Sequence, residues 1–99
     1  MNRLDGKTAL ISGASRGIGA AAANLMISVG ANVIIGDVLK SKGEETAQTL
    51  GPNAKFIHLD VTDENDWSNA VNLAVDQFGG LDILVNNAGL FLGRDFADI

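Results

Sequence analysis

Three glycines in one short run, Gly13-Ala14-Ser15-Arg16-Gly17-Ile18-Gly19, offer backbone rather than side-chain chemistry. Between a strand and a helix, such a run lets the first N–H groups of the helix point outward. The helix dipole then reinforces their attraction for an anion such as a pyrophosphate. Each glycine has its own task in that reading. Gly13 frees the backbone for a tight turn, Gly17 allows phosphates to approach closely, and Gly19, inside the helix, lets the helix pack tightly on the strand. The alanines at 20 to 23 suit the same close contact. The spacing is G-x-x-x-G-x-G and not the G-x-G-x-x-G of the standard dinucleotide fingerprint. The alternative is an ordinary strand–helix turn with flexible glycines.

Asp37 lies 18 residues beyond Gly19. At the end of the second strand of a doubly wound sheet, a carboxylate faces the adenosine ribose and accepts hydrogen bonds from both hydroxyls. A 2′-phosphate there would meet like charge, so Asp37 favours NAD over NADP. Arg16 pulls the other way, because a guanidinium in the turn can meet a phosphate. Asp37 is the expected discriminator, since it lies at the ribose end. A strand-end carboxylate that merely faces water is the competing reading. Asp60-Val61 places a carboxylate beside a backbone N–H, a pair able to read the donor and acceptor edge of adenine. An aspartate at a strand's end is also a good cap for the succeeding segment. In Asn86-Asn87-Ala88-Gly89, asparagines can tie a strand to its neighbours and Gly89 permits close approach to a ligand. For Asn86, sheet stitching and ligand contact stand level; for Asn87, ligand contact is favoured.

These residues need particular elements to hold them. Four short, almost continuously apolar runs read as strands covered on both faces: Thr8–Ile11, Asn32–Asp37, Phe56–Val61 and Ile83–Val85. Between them lie three helical stretches. Ile18–Val29 is alanine-rich and stopped by Gly30, and Ser41–Leu50 ends at Gly51-Pro52. Asp63–Phe78 is capped by Thr62 or Asp63, carries Trp67, Val71, Ala74 and Phe78 at helical spacing, and ends at Gly79-Gly80. The βαβαβαβ order with right-handed crossovers predicts an α/β fold. It is a Rossmann-type parallel sheet of four strands in spatial order 3-2-1-4, helices on both faces, truncated after the fourth strand.

Composition narrows the function classes. The 99 residues suit a single domain, and 46% apolar content argues against disorder. Seven basic and 12 acidic residues give a net charge of −5, a poor match for nucleic acid or an anionic membrane surface. The absence of cysteine excludes disulfides, thiolate metal sites and a cysteine nucleophile. The N-terminal apolar run is too short for a secretory signal or membrane span, so a soluble cytoplasmic protein is expected.

Ser12-Gly13-Ala14-Ser15-Arg16-Gly17-Ile18-Gly19, Asp37, Leu59-Asp60-Val61 and Asn86-Asn87-Ala88-Gly89 occur together and in order. The set resembles the short-chain dehydrogenase/reductase family, which has Thr-Gly-x-x-x-Gly-x-Gly and Asn-Asn-Ala-Gly in these places; Ser12 replaces the usual Thr but keeps its hydroxyl. The stretch from Leu59 to Trp67 is most similar to hydroxysteroid dehydrogenases and 3-oxoacyl reductases. The resemblance implies NAD(P)-dependent oxidoreduction of alcohols and carbonyls. It places Gly13, Ser15, Arg16 and Ile18 on the pyrophosphate or adenosine side, Asp37 on the ribose, Asp60 and Val61 on the adenine, and Asn87 near the nicotinamide half.

The resemblance also implies a Tyr-x-x-x-Lys pair with an assisting Ser, a proton relay that matches hydride transfer. The chain has no tyrosine, and its last lysine is Lys55. No residue is therefore assigned a catalytic or metal-ligating role. His58, the one histidine, is expected to be structural on one sheet face, and Asp82 an exposed turn residue. Phe91, Leu92, Arg94 and Asp95 fall near the expected cofactor mouth. The chain is read as the NAD(P)-binding part, residues 1–99, of an incomplete Rossmann domain. Its alcohol or ketone substrate would be engaged only with a C-terminal half, and a homo-oligomer is a candidate assembly. The alternative is a non-catalytic nucleotide-binding or dimerising module acting on a full-length homologue. A methyltransferase of similar sheet order is disfavoured by the glycine spacing and by Asn86-Asn87-Ala88-Gly89. A fourth strand left as an apolar edge should make the isolated 99-residue chain unstable or self-associating. Urea unfolding tests this: a cooperative, concentration-independent transition of ~5 kcal/mol or more would refute it, and a weak or concentration-dependent one is expected.

Overall fold

The computed structural model describes residues 3–87. Two apolar segments form its centre, β1 (Thr8–Ser12) and β2 (Asn32–Asp37), each buried along nearly its whole length. Side-chain alternation splits them between two cores. Ala9, Ile11, Val33 and Ile35 point to one face, where α1 (Gly17–Ser28) adds Ala23 and α2 (Lys40–Leu50) adds Ala47. Leu10 and Ile34 point to the other, where α3 (Glu64–Phe78) adds Ala70 and Ala74. Small helix residues over bulky strand residues let the layers approach closely.

β3 (Ala54–His58) and β4 (Ile83–Asn86) complete a four-stranded parallel sheet in the order β3-β2-β1-β4. This is the expected α/β architecture and strand order. The sheet reverses its direction of growth at β1, since the chain leaves β1 through α1 on one face and reaches β4 through α3 on the other; sheets of this kind take ligands at the carboxyl ends of the strands at such a point. No helix among the described residues is long and apolar enough to cross a membrane.

Glycines set two of the helix–sheet approaches. A Cβ on Gly19 would lie 2.4 Å from the Gly13 carbonyl oxygen and 2.8 Å from the Ala14 Cα, so α1 sits where only glycine fits. A Cβ on Gly43 would fall 2.2 Å from the Phe56 ring, which draws α2 onto β3.

Three expectations need correction, and a fourth gains a role. The third strand runs over Ala54–His58, not Phe56–Val61. Its start is drawn back because Ala54 pairs with Val33 and the Val33 N–H donates to the Asn53 carbonyl (2.8 Å). It ends early because the Leu59 N–H meets the carbonyl of Asp37, the last residue of β2 (3.0 Å), and the chain then turns. Asp60 and Val61 therefore lie in the loop after the strand. Asp82 is exposed, as expected, and it also joins two strands: its carboxylate accepts from the Thr8 N–H and its own N–H donates to the Thr8 carbonyl, both at 2.9 Å. That exchange fixes the start of β4 against β1. Val71 shares the helical spacing of Trp67 and Ala74, yet it is an exposed residue, and Ala70 takes the buried place. Double-sided cover holds for β1 and β2 but not for β4, where Leu84, in register with Leu10, is 57% exposed.

The glycine contacts make a direct test. Gly19→Ala is expected to destabilise the protein by about 1–3 kcal/mol, because the obstructing atoms are backbone and cannot swing aside. Gly80→Ala, where a Cβ meets nothing within 4 Å, should change stability by less than ~0.5 kcal/mol. The two urea midpoints report the difference.

Candidate functional site

The turn after β1 is held from four directions. Gly13 opens it with φ +67°, a left-handed conformation that a side chain would strain. The N–H groups of Gly13 and Ala14 both donate to the Gly36 carbonyl, at 2.7 and 3.4 Å. The Ser15 N–H (3.2 Å) and hydroxyl both donate to Asp37 Oδ2. From α2, the Thr46 hydroxyl donates to the Ser15 carbonyl, and beyond β4 the Asn87 Nδ2 donates to the Gly13 carbonyl at 3.1 Å.

The start of α1 is left open. Arg16 takes the N-cap position in extended conformation (φ −159°, ψ 173°), no side chain caps the helix, and its first turn holds no acidic residue. Gly17 is left-handed at φ +64°, and a Cβ there would meet nothing within 4 Å. Arg16 is exposed, and Ile18 is 76% exposed. In contrast, α3 is closed by Asp63, which accepts from the N–H groups of Asn65 (2.8 Å) and Asp66 (3.4 Å). Of the two caps read from the sequence, Asp63 is the one used.

Asp37 is only 8% exposed, which disposes of the water-facing reading. Burial works to raise its pKa, but the Ser15 hydroxyl and the N–H groups of Leu39, Ser15 and Val38 outweigh that effect and hold it below the ordinary carboxylate value. The Leu39 N–H reaches Oδ1 at 3.1 Å. Beside it, Arg16, Val38, Leu39, Lys40, Ser41 and Lys42 line an open cavity of about 570 Å³. Lys40 and Lys42 are paired with Glu44 (3.2 Å) and Glu45 (3.0 Å).

Asp60 and Val61 stand in the loop between β3 and α3. Asp60 Oδ1 accepts from the Thr62 hydroxyl (2.6 Å) and N–H (2.9 Å), and these bonds lower its pKa. The Ser12 hydroxyl donates to Asn86 Oδ1 at 2.8 Å, a stitch between β1 and β4. His58 closes β3, exposed, with Nδ1 3.1 Å from Asp66 Oδ2. Ala88, Gly89, Phe91, Leu92, Arg94 and Asp95 lie outside the described residues. Gly13, Ser15, Arg16, Ile18, Asp37 and Asn87 thus lie together at the carboxyl ends of β1, β2 and β4, with Asp60 and Val61 on the loop after β3.

The model of the short chain dehydrogenase family matches residues 7–99. The chain belongs to that family. It is 49% identical over 88 residues to a 3-alpha-(or 20-beta)-hydroxysteroid dehydrogenase of Mycobacterium tuberculosis, covering 89% of this chain and 34% of that protein. It is 46% identical over 99 aligned positions to a trans-4-hydroxycyclohexanecarboxylate dehydrogenase of Sinomonas cyclohexanicum, covering 91% and 38%. Among solved structures, it resembles a 3-ketoacyl-(acyl-carrier-protein) reductase from Brucella melitensis complexed with NADH. That match has a TM-score of 0.79 and 40% identity, and it covers 82% of this chain and 34% of the other. The chain spans about a third of the length of the curated relatives it matches.

Several supports of this short-chain dehydrogenase site escape the sequence reading. Thr46 sits in α2, 31 residues from Ser15, and nothing local marks it. Gly36 does leave a signal, a glycine within an otherwise apolar strand, which denotes close approach. A Cβ there would lie 2.6 Å from the Leu59 Cδ2.

Because folding lowers the Asp37 pKa, its stabilisation is fully present above the unfolded value of about 3.9 and is lost as pH falls through the lower folded value. Asp37→Asn is expected to cost about 1–3 kcal/mol at pH 7, since an amide cannot accept all the converging N–H and O–H groups. Measured by urea denaturation, the gap to the parent should hold between about pH 5 and 8 and narrow below about pH 4.

Proposed function

We propose that this chain is the NAD-binding part of a short-chain dehydrogenase that interconverts an alcohol and a carbonyl. The observation that carries the reading is the buried, ionised Asp37 clamped against the turn of an uncapped helix. When bound, the nicotinamide dinucleotide supplies or accepts the hydride.

The residues present suit such a group. The open N-terminus of α1 offers N–H groups and a positive dipole end to a pyrophosphate, and Gly17 leaves the space above them clear. Gly13 and Ser15 shape that turn, Arg16 adds charge at its rim, and the exposed Ile18 gives an apolar surface for the dinucleotide to lie against. Asp37 accepts from the ribose hydroxyls through Oδ1, which holds one N–H, that of Leu39, while both Ser15 donors go to Oδ2. Asp60 and Val61 take the adenine edge, and Asn87, bonded to Gly13, borders the nicotinamide side.

NAD is preferred over NADP because a 2′-phosphate would approach an anion held in its charged form. Lys40 and Lys42 beside it are each paired with a glutamate, which reduces the net positive charge they present, and Arg16 is the competing cation in the same cavity. The proton that accompanies hydride transfer is exchanged at the substrate oxygen. The 99 residues contain no tyrosine, so this chain's part is to bind and orient, and the relay is supplied by other residues.

Calorimetric titration of the expressed polypeptide should show NAD binding at least about tenfold tighter than NADP, a difference of ~1.4 kcal/mol. Asp37→Ala should shrink that ratio. Equal or tighter binding of NADP to the parent would overturn the assignment of Asp37, and no binding of either would overturn the reading of the turn.

A further inference from the structure

The first turn of α3 is tied to the loop that precedes it in an uncommonly complete way. Residues 60 and 61 have four backbone polar groups, and three are taken by residues at the start of α3. The Asp60 N–H donates to Asp66 Oδ2 at 2.8 Å. The Asp60 carbonyl accepts from the Asp63 N–H at 2.9 Å. The Val61 carbonyl accepts from the Trp67 Nε1–H at 2.8 Å. Among the described residues, the group without a partner is the Val61 N–H, and the neighbouring Asp60 Oδ2 is likewise unengaged while Oδ1 holds Thr62.

What remains is one donor and one anionic acceptor on adjacent residues, in a loop whose other valences are fixed. That pair is the complement of a ring edge with an acceptor nitrogen beside an exocyclic amino group, as adenine has. Hypoxanthine presents the reverse, a ring N–H beside a carbonyl oxygen, and would face donor to donor and acceptor to acceptor. A buried or half-buried mismatch of that kind discriminates strongly because polar groups are left unpaired.

We infer that Asp66 and Trp67 are positioning residues for base recognition: by holding Asp60 N–H and Val61 C=O they aim the free Val61 N–H and Asp60 carboxylate at the base. This rests on the proposed assignment of the 60–61 loop to the adenine. The arrangement gives Trp67 a task separate from packing. Its ring lies against the Leu10 and Ile34 core, while its one polar atom reaches back to the loop. Asp66 is held in place in turn, since Oδ2 also meets His58 Nδ1 at 3.1 Å, so β3, the loop and α3 converge on one oxygen.

The test compares the binding of NAD with that of nicotinamide hypoxanthine dinucleotide, which differs only in the base, by titration of the expressed polypeptide. The parent is expected to prefer NAD. Trp67→Phe keeps an aromatic ring and removes the donor, and Asp66→Ala removes the acceptor. Each should weaken NAD binding about fivefold, the effect of one lost hydrogen bond, while leaving the hypoxanthine analogue within about twofold, so the selectivity ratio narrows. Asp66→Asn, whose amide oxygen still accepts from the Asp60 N–H, should retain the ratio. Equal weakening of both dinucleotides would show a purely structural role, and an unchanged ratio in both Trp67→Phe and Asp66→Ala would overturn the inference while leaving the adenine assignment intact. A parent that binds both dinucleotides equally would overturn the adenine assignment itself, and the inference with it.

Discussion

Taking the Asp37 carboxylate out of water is unfavourable unless hydrogen bonds replace its hydration, and the fold around it is arranged to supply them. The Ser15 N–H and hydroxyl and the Leu39 N–H converge on its two oxygens. Those bonds reach in both directions along the chain. Through Ser15 they shut the glycine turn against the end of β2, and through Leu39 they set how the chain leaves β2 for α2. Gly36 extends the clamp by one residue, because its carbonyl takes the N–H groups of Gly13 and Ala14. The inner amides of the turn are thus consumed by the protein, while those of the α1 start take no side-chain cap. A charge held this way is an anion at neutral pH, so the same contacts that position the turn also keep a negative charge at the end of β2.

The parts of this arrangement that repeat at short range are the parts the sequence discloses. Strand and helix order emerge from apolar periodicity and from glycines at 13, 30, 51 and 79, each of which is left-handed in the structure. The tight contact at Gly19 is readable because it lies inside a motif. Contacts set by the approach of distant segments leave no such trace. Thr46 reaches Ser15 across 31 positions, and Asp82 reaches Thr8 across 74. The boundary of β3 escapes the sequence for a related reason. Phe56 to Val61 is apolar enough to continue as a strand, but a parallel strand ends where its partner does, and β2 stops at Asp37. Trp67 is legible as a core residue and not as a hydrogen-bond donor, since helical spacing reports which way a side chain faces but not where its polar atom goes.

The two faces of the sheet are unequally finished. On the α1 and α2 side, Ile83 and Val85 of β4 pack against the core. On the α3 side, Leu84 stands 57% exposed, and Val75 on the outward flank of α3 is 49% exposed. α3 crosses over β1 and β2 and leaves β4 uncovered there, so the apolar area is a consequence of topology, since one helix cannot cover four strands. Among the described residues, the exposed Leu84 lies on the strand whose outer edge has no strand partner, so the association hazard falls along β4.

The contrast between the starts of α1 and α3 shows what the site gives up in stability. Every helix begins with N–H groups that lack partners inside it, and a side-chain cap is worth about 1 kcal/mol. α3 takes that gain: Asp63 accepts from two of its amides, and Glu64 and Asp66 add favourable charge in the first turn. α1 forgoes it, although Ser15 lies one residue before the N-cap position and carries a suitable hydroxyl. That hydroxyl is turned instead to Asp37, and the cap position is held by Arg16, which has no acceptor to offer. Two glycines in the first turn of α1 weaken it further. A side-chain cap is thus used at α3 and lacking at both α1 and α2, the two helix starts that lie beside Asp37. Departures of this kind gather where a ligand rather than a side chain completes the structure.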